Sequence, residues 1–320
     1  MSAPHAVVTG GAGFVGSHLV DALLADGYRV TSLDNFGSGR PANLDHIDDN
    51  RFESQTHDVR EPFPAFERVD EVYHMASRAS PDDFASHAVE IALTNSQGTQ
   101  NAIECALDYD ATLLLASTSE VYGDPEVHPQ TELYNGNVNV RGPRAPYDES
   151  KRFSEALAVA YDQQYDVDIR TARIFNTYGP RMRPDDGRVI PNFLSQALRG
   201  DDLTVYGDGT QTRSFCYVDD LIQGIRAFSD ADRSVAGGEV INFGSTAEIE
   251  IRKLADIVLD VLDSESGVVH RDLPEDDPQV RRPDIERATE LLDWEPTISL
   301  EDGIERTAPY VADELSVKMG

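Results

Sequence analysis

The chain has 320 residues, enough for one large domain or two intimately packed ones around a sizeable core, and carries 27 Lys and Arg against 58 Asp and Glu, a formal net charge of -31. A field of that sign disfavours nucleic acid and anionic membrane as partners. No apolar run reaches membrane-spanning length and the N-terminus has no signal-peptide pattern, so a soluble cytoplasmic protein is expected.

The first element is a short apolar strand over residues 5–9, which runs directly into Gly10-Gly11-Ala12-Gly13-Phe14-Val15-Gly16 and then a helical pattern from Ser17 to Asp26. Glycines at 10, 13 and 16 allow a tight turn, close approach of the backbone to a pyrophosphate, and packing of helix on strand. Free N–H groups at the helix start face the phosphates. A glycine trio alone is weak, but here a second strand, Tyr28 to Leu33, follows and ends in Asp34, eighteen residues past Gly16. That carboxylate is placed to accept hydrogen bonds from an adenosine ribose and to repel a 2'-phosphate, which predicts NAD rather than NADP, with Asn35 beside it; Arg40 is the nearby cation that works against this preference.

The alternation continues with strands at Arg51 to Gln55, Val69 to His74 and Ala111 to Ala116, a long helical pattern over roughly Phe84 to Leu107, and a last strand at Asp168 to Ile174. The fold class is therefore α/β, a Rossmann-type doubly wound parallel sheet. Asp58-Val59, after the third strand, is set either to meet an adenine edge or to form an exposed turn, and Ala76 and Ser77 lie past the fourth strand at the carboxyl edge where ligands bind in such sheets. Beyond Asn176 the rhythm breaks: prolines and glycines mark an irregular segment. After it come a helix near Asn192 to Leu198, strands at Leu203 to Tyr206 and Arg213 to Val218, and helices at about 252–262 and 285–293. These pieces read as a smaller, interleaved C-terminal substrate lobe of about 176–212 and 244–320, against a cofactor domain of 1–175 with about 213–243.

Cys105 and Cys216 fall in a predicted helix and strand without metal or CxxC spacing, so buried thiols are expected; no D-x-D-x-D-G loop points to calcium, and no metal site is expected. Lysine is reduced to Lys151, Lys253 and Lys318 while acidic pairs such as Asp82-Asp83 and Asp201-Asp202 recur throughout, a pattern that predicts a halophilic host in which salt screens self-repulsion.

One of the three lysines stands four residues after a tyrosine, in Tyr147-Asp148-Glu149-Ser150-Lys151. On a helix the two lie on one face, so the ammonium can sit beneath the phenol and favour the phenolate, bringing a pKa of about 10 toward neutrality. A Tyr/Lys pair at this spacing is by itself an ordinary feature of an amphipathic helix; next to a dinucleotide site it becomes a hydride-transfer catalyst. Ser117-Thr118-Ser119-Glu120, Tyr147 to Lys151, and Asn176-Thr177-Tyr178 are expected to converge at the carboxyl edge, where the Thr118 hydroxyl shares a substrate hydroxyl with Tyr147.

The chain resembles the extended short-chain dehydrogenase/reductases that act on nucleotide sugars, and within them most closely the branch that decarboxylates UDP-glucuronic acid. The marks are Leu114 to Pro125 (LLASTSEVYGDP), Gly142-Pro143-Arg144, Tyr147-Asp148-Glu149, Ala172 to Met182 (ARIFNTYGPRM), Gly187-Arg188-Val189, and Asp276-Asp277-Pro278-Gln279 leading to Arg281-Arg282-Pro283-Asp284, over about residues 5–305. The resemblance implies a closed redox cycle: Tyr147 deprotonates the hexose 4-hydroxyl as hydride passes from C4 to NAD, the resulting 4-ketone lets carbon dioxide leave, and hydride returns to give UDP-xylose. It implies Thr118 as holder of the reacting oxygen, Lys151 as partner of Tyr147 and of the nicotinamide ribose, and Glu120 near the carboxylate-bearing carbon. Cofactor contacts fall on Gly10, Gly13, Phe14, Val15, Asp34, Asn35, Asp58, Val59, Ala76 and Ser117. Contacts to the UDP-linked sugar fall on Ser119, Asn176, Val189, Asn192, Val205, Tyr206, Gln211, Arg213 and Arg281, the arginines matching phosphate oxygens. It also implies a homodimer built on the helices near Phe84 to Leu107 and from Tyr147 onward.

The pattern departs in three places: Arg78 stands where the branch has a proline, Tyr134 to Asn139 match loosely, and Ser150 replaces a glycine. Two rival enzymes share the Tyr, Lys and NAD. A UDP-hexose 4-epimerase carries small residues at Ser119 and Glu120, and a nucleotide-sugar 4,6-dehydratase places an aspartate before the glutamate, where this chain has Ser119. A catalytically silent NAD-binding sensor predicts a damaged Thr118, Tyr147 and Lys151 set, and all three are present.

Overall fold

Alternation of side chains along the first strand separates the two faces of the sheet: Ala6 and Val8 enter one apolar cluster and Val7 the other. The computed structural model describes residues 3–273 and 280–319; the Asp276 to Gln279 part of the motif quoted above lies outside them. Strands β1 (His5–Thr9), β2 (Arg29–Asp34), β3 (Phe52–Thr56), β4 (Glu71–His74), β5 (Thr112–Thr118) and β6 (Ile169–Ile174) form one sheet with a further strand, Val240–Phe243. The spatial order is Val240–Phe243, β6, β5, β4, β1, β2, β3, with every pair parallel. This is the doubly wound sheet expected.

Helices α1 (Phe14–Ala25) and α6 (Val218–Asp230) cover one face through Leu19, Leu23, Leu221, Ile225 and Phe228. On the other face α3 (Thr99–Tyr109) and α4 (Ala145–Tyr165) pack Ala102, Ile103, Ala106 and Ala158 onto Val72, Leu113 and Leu115. Both layers are closed by full burial of these side chains, about 25 cal/mol for each Å² of apolar surface removed from water.

Three expectations are corrected. Residues 169–174 are not the last strand of the sheet, because Val240–Phe243 adds beside them. The segment 213–218 is not one strand: Thr212–Ser214 joins a three-stranded sheet with Glu248–Glu250 and Val280–Arg281, while Cys216–Tyr217 pairs with Thr177–Tyr178. The long pattern from Phe84 is not one helix. Its first regular turns form α2 (Ala88–Leu93), and a π turn at Thr94–Gly98 joins α2 to α3; there a Cβ on Gly98 would stand 2.8 Å from Val59 Cγ2, so the bare glycine lets the chain settle against β3's loop. Helices α6 and Leu300–Leu315 were not anticipated. The strand Leu203–Tyr206 pairs with Val268–Arg271, and α5 (Val189–Arg199) packs behind it. Cys105 and Cys216 are buried free thiols.

Candidate active site

The glycine turn after β1 is shaped by contacts that no side chain permits. Gly10 has φ +68°, and a Cβ there would lie 2.8 Å from the backbone of Ala76; one on Gly16 would lie 2.1 Å from Gly10 O. The turn leads into α1, whose N-cap, Gly13, has no side-chain cap and whose first turn holds no acid, leaving its N–H groups and positive dipole end for an anion. At the end of β2 the buried Asp34 carboxylate accepts from Ala12 N at 3.0 Å and Phe36 N at 2.8 Å; burial raises its pKa and those two N–H bonds draw it back. Arg40 is engaged elsewhere, by both oxygens of Glu314 at 2.6 and 3.2 Å. A bare glycine cradle, an open helix terminus and a fixed strand-end carboxylate fit a dinucleotide with a free ribose 2'-hydroxyl.

A cavity of about 490 Å³ runs from this turn past the ends of β4, β5 and β6. It brings together Gly10, Gly13, Phe14, Val15, Asp34, Asn35, Val59, Ala76, Ser117, Thr118, Ser119, Glu120, Tyr147, Lys151, Asn176, Val189, Asn192, Tyr206, Gln211, Arg213 and Arg281. Asp58 is not among its lining residues: it pairs with Arg60, which holds its pKa down at about 2. Val205 is fully buried, with its Cγ1 facing Gly209.

Thr118, the last residue of β5, caps the turn that follows by accepting from Glu120 N at 3.2 Å. Tyr147 sits in the first turn of α4, and one turn later Lys151 Nζ donates to Ala116 O at 2.7 Å. The expectation that Lys151 lowers the phenol is corrected. Burial pushes Tyr147 up to about 12, with hydrogen bonding to Thr118 opposing, and burial lowers Lys151 itself to about 8, while its Nζ is engaged by the β5 carbonyl. Phe84 stacks on the Tyr147 ring, centroids 4.8 Å apart and planes 18° off parallel.

Glu120 is clamped between two guanidiniums. Arg144 Nη2 donates to Oε2 at 2.5 Å and Arg281 Nη1 donates to Oε1. Burial alone would raise its pKa, but Arg281 and Arg144 hold it well below the usual carboxylate range. Arg281 lies in register with Arg213 on the three-stranded sheet, so both stand along one wall of the cavity. The next residue after Tyr147 behaves oppositely: burial and the Glu120 charge raise Asp148 to about 7, and its Oδ1 has no hydrogen-bond partner. At the far wall Arg188 pairs with Asp186, Asn192 Nδ2 donates to Gly187 O at 3.2 Å, and Gln211 Nε2 donates to Tyr206 O at 2.9 Å, its Oε1 left buried and unpartnered.

The sequence does not single out Phe84, and Arg144, Asp148 and Arg188 enter only as members of quoted motifs, with no role of their own. Spacing is a further signal for Arg144, which precedes Tyr147 by three residues and so shares its helical face. Charge is also sorted in a way composition hides: among the described residues nine Lys and Arg line the cavity, namely Arg40, Arg78, Arg144, Lys151, Arg181, Arg183, Arg188, Arg213 and Arg281, against five acids, in a chain where acids outnumber bases 58 to 27. In a chain this acidic, such a lining selects an anionic ligand.

The NAD dependent epimerase/dehydratase family profile matches residues 6–244. UDP-glucuronic acid decarboxylase 1 of Xenopus tropicalis is 48% identical over 310 residues, which span 97% of this chain and 72% of the relative. Among solved structures, a UDP-glucuronic acid 4-epimerase variant from Bacillus cereus, in complex with UDP-4-deoxy-4-fluoro-glucuronic acid and NAD, superposes with TM-score 0.86 at 28% identity over 97% of this chain and 99% of the other. A dTDP-glucose 4,6-dehydratase from Streptomyces venezuelae, with NAD bound, does so with TM-score 0.86 at 31% identity over 97% of each chain.

Proposed function

This chain belongs to the NAD dependent epimerase/dehydratase family, and from that premise we propose that it decarboxylates UDP-glucuronic acid to UDP-xylose through a 4-keto intermediate, recycling NAD within each turnover. The observation that carries the choice within the family is the clamped Glu120. Held far below neutrality by Arg144 and Arg281, it is always ionised at working pH and cannot protonate a leaving hydroxyl, as a 4,6-dehydratase requires of its acid; Ser119 before it is no substitute. The pair of guanidiniums more than balances one carboxylate, leaving positive charge for a second, that of the uronic acid.

NAD, when bound, supplies a cationic ring that takes up and returns the C4 hydrogen with its electrons and, by its charge, favours loss of the Tyr147 proton. Thr118 orients the hexose 4-hydroxyl and Tyr147 accepts its proton. The 4-ketone is then β to the carboxylate on C5, so carbon dioxide leaves as its bonding electrons pass into the ketone, and a proton is delivered to C5. Tyr147 afterwards gives its proton back to the 4-oxygen. Phe84, stacked on the phenol, excludes water from one of its faces. Lys151 fixes the end of β5 and, with Gly10, Gly13, Phe14, Val15, Asp34, Asn35, Val59, Ala76 and Ser117, belongs to the cofactor side; Ser119, Asn176, Val189, Asn192, Tyr206, Gln211, Arg213 and Arg281 belong to the UDP-sugar side. The division into a cofactor domain of about 1–175 with 213–243 and a sugar lobe of about 176–212 with 244–320 follows the same reading.

A second reading, 4-epimerisation of the same substrate, draws on the likeness to the Bacillus cereus enzyme. Nuclear magnetic resonance of UDP-glucuronic acid and of UDP-glucose incubated with the protein, NAD and molar salt separates the two: UDP-xylose with carbon dioxide supports decarboxylation, and UDP-galacturonic acid or UDP-galactose replaces it with epimerisation.

The working form is a cytoplasmic homodimer in a halophilic cell. Apolar side chains left exposed on α2 and α4, namely Val89 at 73%, Phe153 and Tyr165 at 50% and Val159 at 49%, favour pairing of those helices with a second copy. Among the described residues no helix is long and apolar enough to cross a membrane. Light scattering in molar salt is expected to give twice the chain mass, and Phe153→Asp to give monomers; a wild-type monomer at micromolar concentration overturns the dimer.

A further inference from the structure

Arg78 departs from the pattern of the decarboxylase branch, and no step of the reaction uses it. Its side chain is 14% exposed and lines the same cavity as Gly10, Gly13 and Asp34. Two acids hold it: Nε donates to Glu90 Oε1 at 3.0 Å, and Nη1 stands 3.5 Å from Asp83 Oδ2. The remaining nitrogen, Nη2, reaches the loop after β2, where it would lie 2.9 Å from a Cβ on Gly37.

Topology gives that reach a meaning. In the sheet β1 lies between β4 and β2. Arg78 leaves the loop after β4 and ends at the loop after β2, so its side chain crosses the mouth of the glycine turn that follows β1. The backbone of Ala76 already packs on Gly10 at the base of this crossing. Asp83 and Glu90 fix the fork in place, and a fixed guanidinium is matched to diphosphate oxygens by shape as well as charge.

We propose that Arg78 is a clasp on the cofactor cleft, a cofactor-retaining residue that spans the glycine turn from the β4 loop to the β2 loop and slows the release of bound NAD. The inference rests on NAD as the cofactor. A cofactor restored to its starting state in every turnover has no need to exchange, so slow release costs the cycle nothing and protects the 4-keto stage from losing its reductant.

The test is the exchange of labelled NAD out of the protein against an excess of unlabelled NAD, in wild type, Arg78→Ala, Arg78→Lys and Gly37→Ala, with UDP affinity and thermal midpoint measured beside it. Losing one charge-assisted hydrogen bond predicts release about tenfold faster in Arg78→Ala. Arg78→Lys, which keeps the charge and loses the fork, falls between. Gly37→Ala keeps the arginine but puts a methyl 2.9 Å from Nη2 and 3.0 Å from Asn35 Oδ1, on a backbone that accepts alanine, so the guanidinium has to shift and release is expected to speed as well. UDP affinity stays at the wild-type value in all of them. Unchanged release in both Arg78→Ala and Gly37→Ala overturns the clasp, as does a fall in UDP affinity without a change in NAD release, which would put Arg78 on the sugar side. Wild type that holds no labelled NAD removes the cofactor assignment itself, an outcome distinct from wild type that holds it while the variants behave alike.

Discussion

Asp148 is a buried carboxylate beside a catalytic tyrosine, and replacing it with asparagine tests whether the site is built as described. Burial first, and the Glu120 charge second, raise its pKa from 3.8 to about 7. Because the folded value lies above the unfolded one, the folded protein binds the extra proton. The stability this contributes is complete below the unfolded pKa and is lost as pH rises toward 7. Between pH 5 and pH 8 about two units of that window are crossed, which at 1.36 kcal/mol per unit is about 2 to 3 kcal/mol. An amide at this position does not titrate and has no such dependence. In urea unfolding in molar salt, Asp148→Asn is therefore expected to gain about 2 to 3 kcal/mol on wild type between pH 5 and pH 8, and any fixed cost of seating an amide at the unpartnered Oδ1 cancels in that difference. An equal stability difference at the two pH values would refute the burial argument and, with it, the charge balance drawn around Glu120.

Tyr147→Phe removes the proton carrier but keeps the ring that Phe84 stacks on, so turnover is expected to fall by about 10²- to 10⁴-fold while NAD stays bound; a comparable rate would contradict the assigned base. Glu120→Gln leaves Arg144 and Arg281 facing a neutral acceptor and is expected to spare cofactor binding while suppressing carbon dioxide release, and an unaffected rate would remove Glu120 from the mechanism. The same substitution carries a linkage signature: Glu120 is depressed in the folded state, so its contribution to stability is present above its unfolded pKa and lost as pH falls, and Glu120→Gln is expected to flatten the acid limb of the stability profile.

What the sequence disclosed depended on whether a property is set locally. The glycine turn, the Asp34 distance and the strand-helix rhythm are fixed by neighbours in the chain, and they predicted the sheet and the cofactor cradle. Thr118 ends β5, while Tyr147 and Lys151 stand in the first turns of α4, and the packing of that helix beside β5 brings the three together. Asp148 reads locally as a favourable acid in the first turn of a helix, yet the fold buries it, a tertiary effect opposite to the local one. The Glu120 clamp joins residues 120 and 281, a pairing for which spacing offers no sign. Lys151 differs for a related reason: helical spacing places it on the Tyr147 face, while the carbonyl that accepts its hydrogen bond belongs to β5. The strand Val240–Phe243 is four residues long with the buried Asn242 inside it, whose side chain is satisfied by Tyr122, Gln130 and Asp284 from distant segments.

The central claim is decarboxylation through a ketone at C4, and the most direct measurement is to run UDP-glucuronic acid with the protein and NAD in heavy water and examine the product by proton nuclear magnetic resonance and mass spectrometry. The account predicts UDP-xylose with one deuterium at C5, where the proton is delivered after carbon dioxide leaves, and the original hydrogen at C4. A product that keeps its carboxylate, with no deuterium at C5 and inverted configuration at C4, would contradict it and make the protein an epimerase.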